Sequence, residues 1–461
     1  MPNWAEAAAI FWAVAQLGAT LIPIVHFYGT KELSFILRQS GARAFLCADR
    51  FRNVDYLSSL GEVTKTCPDL ELVAVLGKRV PSGVVSFDNL TTGPENNLPA
   101  PTDPNRPAIV AYTSGTTADP KGVIHTHQSF VAETMQLASI QAVDEGPSLV
   151  GAPAGHFIGM LAGLFLPIVR GFPIHLTDVW NPGAVLRAVA EAKISAGSGA
   201  AYFLTSLIDH PDFGPEHLKN IRYAGLGGAP VPAAVADRAH DLGISVIRSY
   251  GSSEQPSITG SSHSDPPGKR MYTDGGPLPG VEIRLIDEAG KAVGPGVPGE
   301  ILSRGPELFS GYTDAALTRD SFDDAGWYAT GDIGILNEHG WLTITDRKKD
   351  IIIRGGENIS AGEVEELLAR LPGVLEVAVV AAPDPRMGEH GCAFVRANPH
   401  QPLPDLEAVR RHLETAGLAR KKWPEEVRVI EDFPRTPAGK IKKVELRDRL
   451  RQEAQSESDT S

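Results

Sequence analysis

The stretch YTSGTTADPKG, residues 112–122, crowds hydroxyl side chains around one glycine and then closes with Pro-Lys-Gly. Thr113, Ser114, Thr116 and Thr117 supply hydroxyl donors, Gly115 lets backbone N–H groups approach an anion, and Lys121 adds a positive charge. That set suits a polyphosphate. It is not a Walker loop, which needs a Gly-Lys pair followed by Ser or Thr. An ordinary Ser/Thr/Gly surface loop has the same composition, so this stretch alone leaves both readings open.

Three further stretches carry usable chemistry. In SYGSSEQPS, residues 249–257, Tyr250 can stack on a base, Gly251 allows close approach, and Ser253 can bond a phosphate. Glu254 of the same stretch can hold Mg²⁺ through one carboxylate, as magnesium–phosphate sites usually do. In WYATGDIG, residues 327–334, Asp332 follows a glycine and can be aimed at ribose hydroxyls. In PRTPAGKIKK, residues 434–443, Lys440 lies in a Pro-bounded loop. Taken singly, each also fits a plain turn or a solvated side chain.

The elements that must position these residues show in the hydrophobic pattern. AFLCA (44–48), LVAVLG (72–77) and AIVAY (108–112) read as strands alternating with helical segments, which predicts layered α/β structure with largely parallel strands. Loops at the carboxyl ends of such strands are favoured ligand sites, and the hydroxyl-rich loop follows AIVAY directly. Residues 7–25 are long and apolar, but no Lys or Arg precedes Lys31 and Gln16, Gly18, Thr20 and Pro23 interrupt them. They predict a buried helix ending at Gly18 followed by a strand, neither a signal peptide nor a membrane span. A Pro-rich connector fills residues 96–108. Near Val281 the texture turns antiparallel, with a hairpin about Glu288, Ala289 and Gly290. The charged run in WLTITDRKKDIIIRGG, residues 341–356, predicts a solvated joint. A boundary there divides the chain into a large part, 1–346, and a small α+β part, 347–461. In the small part Ser360 and Glu363 predict a capping box ahead of a helix with Val364, Leu367, Leu368 and Leu371 on one face. Residues 375–382 predict a strand, Leu406, Val409 and Leu413 another helix, and the tail after Gln452 a frayed end.

Composition bounds the class. The chain has 461 residues, 42% hydrophobic and 21% charged, which is ample for a large core and two to four domains. With 43 basic against 56 acidic residues the net charge is −13, which argues against a nucleic-acid partner. Cys47, Cys67 and Cys392 are odd in number and lack metal-ligand spacing, so they read as small buried hydrophobes in a reducing, cytoplasmic compartment. Oligomeric state leaves no trace in the sequence.

In combination and in order, these stretches resemble the adenylate-forming superfamily of acyl-CoA synthetases, peptide-synthetase adenylation domains and firefly-type luciferases. The family's T-S-G-[ST]-T-G-x-P-K-G is matched by residues 113–122, and its Y-G-x-T-E by Tyr250, Gly251, Ser253 and Glu254. T-G-D is matched by residues 330–332, and D-R-x-K-[DE] by Asp346, Arg347, Lys349 and Asp350. The glycine–glutamate pattern is matched at Gly356, Ile359, Glu363, Val364 and Glu365, and P-R-[TN]-x-x-G-K by residues 434–440.

The resemblance implies a ligase that joins a carboxylic acid to ATP, releasing pyrophosphate, and then passes the acyl group from AMP to coenzyme A. It implies that residues 113–117 and Lys121 hold the phosphates, that Gly228, Ala229, Tyr250 and Gly251 bound the adenine, and that Asp332 and Arg347 hold the ribose. It places Glu254 on Mg²⁺, Lys440 between the carboxylate and the α-phosphate, Lys349 at the hinge of a mobile cap, and Gly355 and Gly356 along the CoA path. His156, in GAPAGHFIGM (151–160), takes the family's histidine position beside the carboxylate, with a packed core histidine as the alternative. Phe157, Gly227, Ser249, Ser257 and Ile258 then line the acyl wall. The Asp that pairs an α-amino group in peptide synthetases is missing, which disfavours an amino-acid substrate. Ala118 replaces the loop's last glycine, Ser253 the usual Thr, and Arg248 a frequent Gln. The match begins almost at Met1, so the N-terminal segment of relatives is expected to be lacking and a sheet edge or apolar face to be left uncovered. Two other functions stay open: a nucleotide-binding relative without activity, and a ligase that loads a carrier protein.

Overall fold

The computed structural model describes residues 1–26, 28–92, 103–113, 120–142, 144–348, 350–398, 401, 405–436 and 439–458. Ser114, Gly115, Thr116, Thr117, Ala118 and the hinge lysine Lys349 lie outside them.

The large part is mixed rather than largely parallel. Ala44–Ala48, Leu72–Leu76 and Val85–Ser86 form a parallel three-stranded sheet, as their uninterrupted apolar runs require for strands covered on both faces. Pro107–Thr113 instead pairs antiparallel with Lys121–Thr126, which pairs antiparallel with Gly311–Tyr312. The hydroxyl-rich loop is therefore a hairpin connection and not a strand-to-helix turn. The sequence hid this because VIHT after the loop is too short a run to separate strand from helix by period. Tyr223–Gly227 and Ser245–Tyr250 are parallel neighbours, extended antiparallel by Thr259–Gly260 and Gly276–Pro277. Glu282–Ile286, Gly299–Arg304, Tyr328–Leu336 and Leu342–Arg347 make a fully antiparallel sheet. Its first turn is the expected one, with Gly290 at φ 76° and the Asp287 carboxylate accepting from the N–H groups of Ala289 and Lys291.

At the N-terminus the helix Ala5–Gln16 ends as expected near Gly18, which sits at φ 62°, but Leu21 makes only a single bridge to Ile109 instead of a strand. Among the described residues no helix is long and apolar enough to cross a membrane.

The small part is one sheet with helices on both faces. Ile352–Arg354 pairs with Glu357–Ile359 and Gly388–Ala397, which in turn pairs with Val374–Asp384 and Glu426–Val429. Period-two alternation splits its side chains. Val379 and Ala393 pack under the helices Ala361–Leu368 and Leu406–Thr415, while Val380, Cys392 and Phe394 face Leu446 and Leu450 of the helix Lys443–Ser458. That last helix continues through the polar tail expected to fray; Leu446 and Leu450 anchor it. The capping box is half formed. The Ser360 hydroxyl accepts from the Glu363 N–H at 3.0 Å, but the Glu363 carboxylate turns to Lys422 at 2.5 Å.

All three cysteines are buried and free, and burial pushes the Cys47 thiol to about 11 and Cys392 to about 12, so neither is a nucleophile near neutral pH.

Candidate active site

Two parallel strands set the floor of the site. Gly227 lies opposite Ser249 at their carboxyl ends, the favoured ligand position in a parallel pair. A Cβ on Gly227 would meet the Ser249 carbonyl at 2.7 Å, so the two chain ends approach as only glycine permits. Gly251 is just as constrained: a Cβ there would lie 1.9 Å from the Pro256 carbonyl. Its place in the sequence is thus explained by the tight 250–256 turn itself. Gly228, at φ 75°, is exposed at the end of the first strand, with Ala229 after it.

Tyr250 ends the second strand and donates its hydroxyl to Asp332 Oδ2 at 2.7 Å. Arg347 reaches the other carboxylate oxygen, Nε to Oδ1 at 3.0 Å, because Asp332 and Arg347 are direct cross-strand partners. Asp332 is 4% exposed. Burial, and next to it the Asp332 charge, push the Tyr250 phenol well above its usual range, so it stays a donor. Tyrosine, carboxylate and guanidinium, 82 and 97 residues apart in sequence from Tyr250, thus form one chain of charge-assisted hydrogen bonds.

Glu254 sits between this cluster and the hairpin. Its Oε1 accepts the Tyr312 hydroxyl at 2.7 Å, and the Lys121 ammonium lies 5.6 Å from the Tyr312 ring centroid. Thr113 and Lys121 face each other at the base of the hairpin. The two ends of the hydroxyl-rich loop are therefore fixed beside Glu254, whereas Ser114, Gly115, Thr116 and Thr117 fall outside the described residues. The Ser253 carbonyl accepts His125 Nε2 at 2.8 Å, tying this turn to the strand Lys121–Thr126. Burial drives the His125 pKa down to about 4, so the imidazole is neutral.

His156 precedes a helix that runs to Arg170 with a π turn at Leu161–Phe165. Asn3 clamps the preceding loop, accepting the Ala154 N–H at 2.7 Å and donating to the Ala152 carbonyl at 3.3 Å. Burial and the neighbouring Lys440 charge lower the His156 pKa to about 4, and its Nδ1 is buried without a partner among the described residues. Phe157 packs against His125 at 4.7 Å and Phe130 at 5.7 Å between ring centroids.

Lys440 arrives from the small part. Its loop turns at Thr436, whose hydroxyl accepts the Lys440 N–H at 3.2 Å. A Cβ on Gly228 would lie 3.6 Å from Lys440 Cε and 4.0 Å from Nζ. Gly439, at φ 83°, packs over Ala200 and Tyr202, and the Arg435 guanidinium lies 4.8 Å from the Tyr202 ring centroid. Glu366 adds a second contact, accepting the N–H of Ala233 at 3.2 Å where a helix of the large part begins.

Several of the expected residues hold contacts that the sequence did not announce. The charged run is solvated only in part: Arg347 and Lys348 stay exposed while pairing with Asp332 and Glu300, but Asp346 is buried and Asp350 pairs with Arg447. Opposite charges lay far off in sequence and gave no local signal. Ser257 donates its hydroxyl to the buried Glu133 at 2.5 Å. Ser249 packs on Gly227, while Ile258 is fully buried and its N–H bonds the Tyr250 carbonyl. Arg248, left without a role, forms a buried pair with Asp274 at 2.9 Å. Gly355 and Gly356 form the left-handed turn between two strands, and a Cβ on Gly355 would meet Met387 Cε at 2.4 Å. His125, Tyr312, Glu133 and Asn3 were missed; nothing in their local sequence announces them.

The profile of the AMP-binding enzyme family matches residues 1–313, and that of the AMP-binding enzyme C-terminal domain matches residues 363–440. The chain belongs to the AMP-binding enzyme family. It is 34% identical over 452 residues to the medium-chain fatty-acid–CoA ligase of Escherichia coli, covering 97% of this chain and 80% of that one. It is 34% identical over 457 residues to a 3-[(3aS,4S,7aS)-7a-methyl-1,5-dioxo-octahydro-1H-inden-4-yl]propanoyl:CoA ligase of Rhodococcus jostii, covering 95% and 86%. ATP-bound MatB from Rhodopseudomonas palustris superposes with a TM-score of 0.87 at 26% identity, covering 97% of this chain and 87% of that one. Apo MatB superposes with a TM-score of 0.76. This family member is an adenylate-forming acid–thiol ligase with a large N-terminal and a small C-terminal domain.

Proposed function

We propose that the chain converts a carboxylic acid and Mg-ATP to acyl-AMP and pyrophosphate, and then transfers the acyl group to coenzyme A, with each site residue in a definite role. The observation that carries this reading is the meeting of Lys440 with Gly228 and His156, beside the Tyr250–Asp332–Arg347 chain. Gly228, Ala229 and the Tyr250 ring bound the adenine. Asp332 and Arg347, already oriented by each other, take the ribose hydroxyls. The hairpin, from Thr113 through Ser114, Gly115, Thr116 and Thr117 to Lys121, wraps the phosphates, with the Ser253 hydroxyl beside them.

The acid enters along Phe157 with its carboxylate beside His156. Lys440 then lies between that carboxylate and the α-phosphate, offsetting charge as it grows on the attacked phosphorus. Such a preorganised donor is worth roughly 10²–10³ in rate. His156 is neutral, so it does not add a second cation.

Glu254 fits a magnesium ligand: Tyr312 engages Oε1 and fixes the carboxylate, and Lys121 of the hairpin lies over the same tyrosine ring. Mg²⁺ held there supplies charge neutralisation on the departing pyrophosphate. We place the domain division at 346/347 and the hinge at Lys349. The superposition, better on ATP-bound than on apo MatB, supports an adenylating pose of the cap. The thiol step would bring up the Gly355–Gly356 turn. Next to it Arg410, Arg420 and Lys421, with Arg354 already paired to Glu425 at 2.6 Å, line a depression suited to the phosphates of CoA. A cytoplasmic location, where ATP and CoA are available, belongs to the same reading. Acid-dependent ATP–pyrophosphate exchange tests it: exchange that requires both an acid and Mg²⁺ supports the assignment, and its absence with every acid of a broad panel refutes it.

A further inference from the structure

Glu133 is an unusual residue in an apolar place. It lies on the helix His127–Ser139, is 1% exposed, and is one turn from Phe130 and from Leu137, which belong to one packed cluster with Phe157 and Ile258. Its Oε1 takes the Ser257 hydroxyl at 2.5 Å. Its Oε2 is buried with no hydrogen-bond partner among the described residues, and Gln136 Oε1, one turn along the same helix face, is in the same condition. Neither is explained by the neighbouring polar network. There Glu307 is satisfied by Gln255 at 2.6 Å and by the Gln136 amide nitrogen at 3.1 Å. A buried carboxyl with an open oxygen is costly and rare in folded proteins.

Position supplies the reason. The acid's carboxylate belongs at Lys440 and His156. From there the aromatic contacts run from Phe157 to Phe130, and Glu133 stands one helical turn past Phe130. On the other side Ser257 precedes Ile258, whose N–H bonds the Tyr250 carbonyl. The pair therefore adjoins Phe130 and Ile258, which pack with Phe157 in one cluster.

We propose that Glu133 and Ser257 form the polar far end of the acyl pocket and that Oε2 hydrogen-bonds an oxygen substituent, a hydroxyl or oxo group, on the tail of the acid. The inference rests on the acyl-CoA ligase reading and names its substrate class: an acid polar at both ends and apolar between. Burial, opposed by the Ser257 hydrogen bond and reinforced by Glu307, raises the Glu133 pKa to about 8, so near neutral pH the carboxyl keeps its proton. With Oε1 accepting from Ser257, the proton belongs on Oε2, where it is donated to the substrate oxygen.

The test compares matched acids: octanoate with 8-hydroxyoctanoate, and 3-phenylpropanoate with 3-(4-hydroxyphenyl)propanoate. The readout is kcat/KM for acid-dependent ATP–pyrophosphate exchange. The wild type should prefer a hydroxylated member by about tenfold or more, the scale of one buried hydrogen bond left unmade. Glu133→Leu should abolish or reverse that preference while the plain acid keeps its rate. Glu133→Gln should retain part of it, and Ser257→Ala should weaken it. If Glu133→Leu fails to fold, the Gln and Ala variants read the same ratio. Preference for the plain acids throughout, or a ratio that no variant changes, overturns the proposal. If no acid supports exchange, the ligase reading fails on its own. Calorimetric binding of the same acids then decides: tighter binding of a hydroxylated acid, lost in Glu133→Leu, sustains the inference, and equal binding overturns it.

Discussion

Asp332 and Lys440, both assigned to the nucleotide in the proposed function, are held in opposite ways. Asp332 is buried on a strand, gripped by Tyr250 at 2.7 Å and by Arg347 at 3.0 Å. Lys440 stands in a turn of the small domain, which meets the large one through the Gly439 and Arg435 contacts with Tyr202 and through Glu366. Binding groups are thus built into rigid sheet, where preorganisation lowers the cost of ordering. In the proposed function, the charge needed only at the transition state is carried by the small domain. Such a domain can be withdrawn once acyl-AMP has formed, and the second step can use a different face of it.

Breaking the cap side should cost the most. Lys440→Ala is expected to lower kcat of ATP–pyrophosphate exchange about 10²–10³-fold, with the KM for ATP little changed and the melting temperature near that of the wild type. A loss seen only in KM would move Lys440 from the transition state to ground-state binding.

On the fixed side, Tyr312→Phe removes the hydroxyl that orients Glu254. Outer-shell partners of metal ligands typically contribute 10–100-fold, so a rise of about tenfold in the Mg²⁺ concentration for half-maximal exchange is expected. An unchanged Mg²⁺ requirement would detach Glu254 from the metal. Glu366→Gln weakens an anion–helix N-terminus contact between the domains, worth about 0.3–1 kcal/mol, so exchange should fall roughly two- to fivefold. No change would mean that the cap docks through the Lys440 loop alone.

The smallest effect on rate concerns pH. Burial lowers the His125 pKa to about 4 in the fold, against about 6.5 for an unperturbed imidazole. Between those values the unfolded chain binds more protons, so stability falls as pH drops from about 6.5 toward 4. His125→Asn should flatten that slope in melting curves taken between pH 7 and pH 5. An unaltered slope would show that His125 does not carry it.

How much of this was legible follows the same division. Residues that act through contiguous backbone, such as Tyr250 and Gly251 or Gly439 and Lys440, leave local patterns, and the structure brings them together. Residues that act through distant partners leave none. Tyr312 finds Glu254 across 58 residues, His125 finds the Ser253 carbonyl across 128, and Glu133 finds Ser257 across 124. The pairing of the charges around Asp346 was hidden because Glu300 and Arg447, the partners of Lys348 and Asp350, lie on other strands and helices. Strand direction was equally hidden: AIVAY has the continuous apolar run of a parallel strand, yet it is a hairpin arm covered on both sides.

The claim that Lys440 is a charge delivered for one step and then withdrawn is tested most directly by supplying Lys440→Ala with preformed acyl-AMP and coenzyme A. The account predicts thioester formation within about threefold of wild type, beside an exchange rate lowered roughly 10²–10³-fold. Equal losses in the two steps would contradict it.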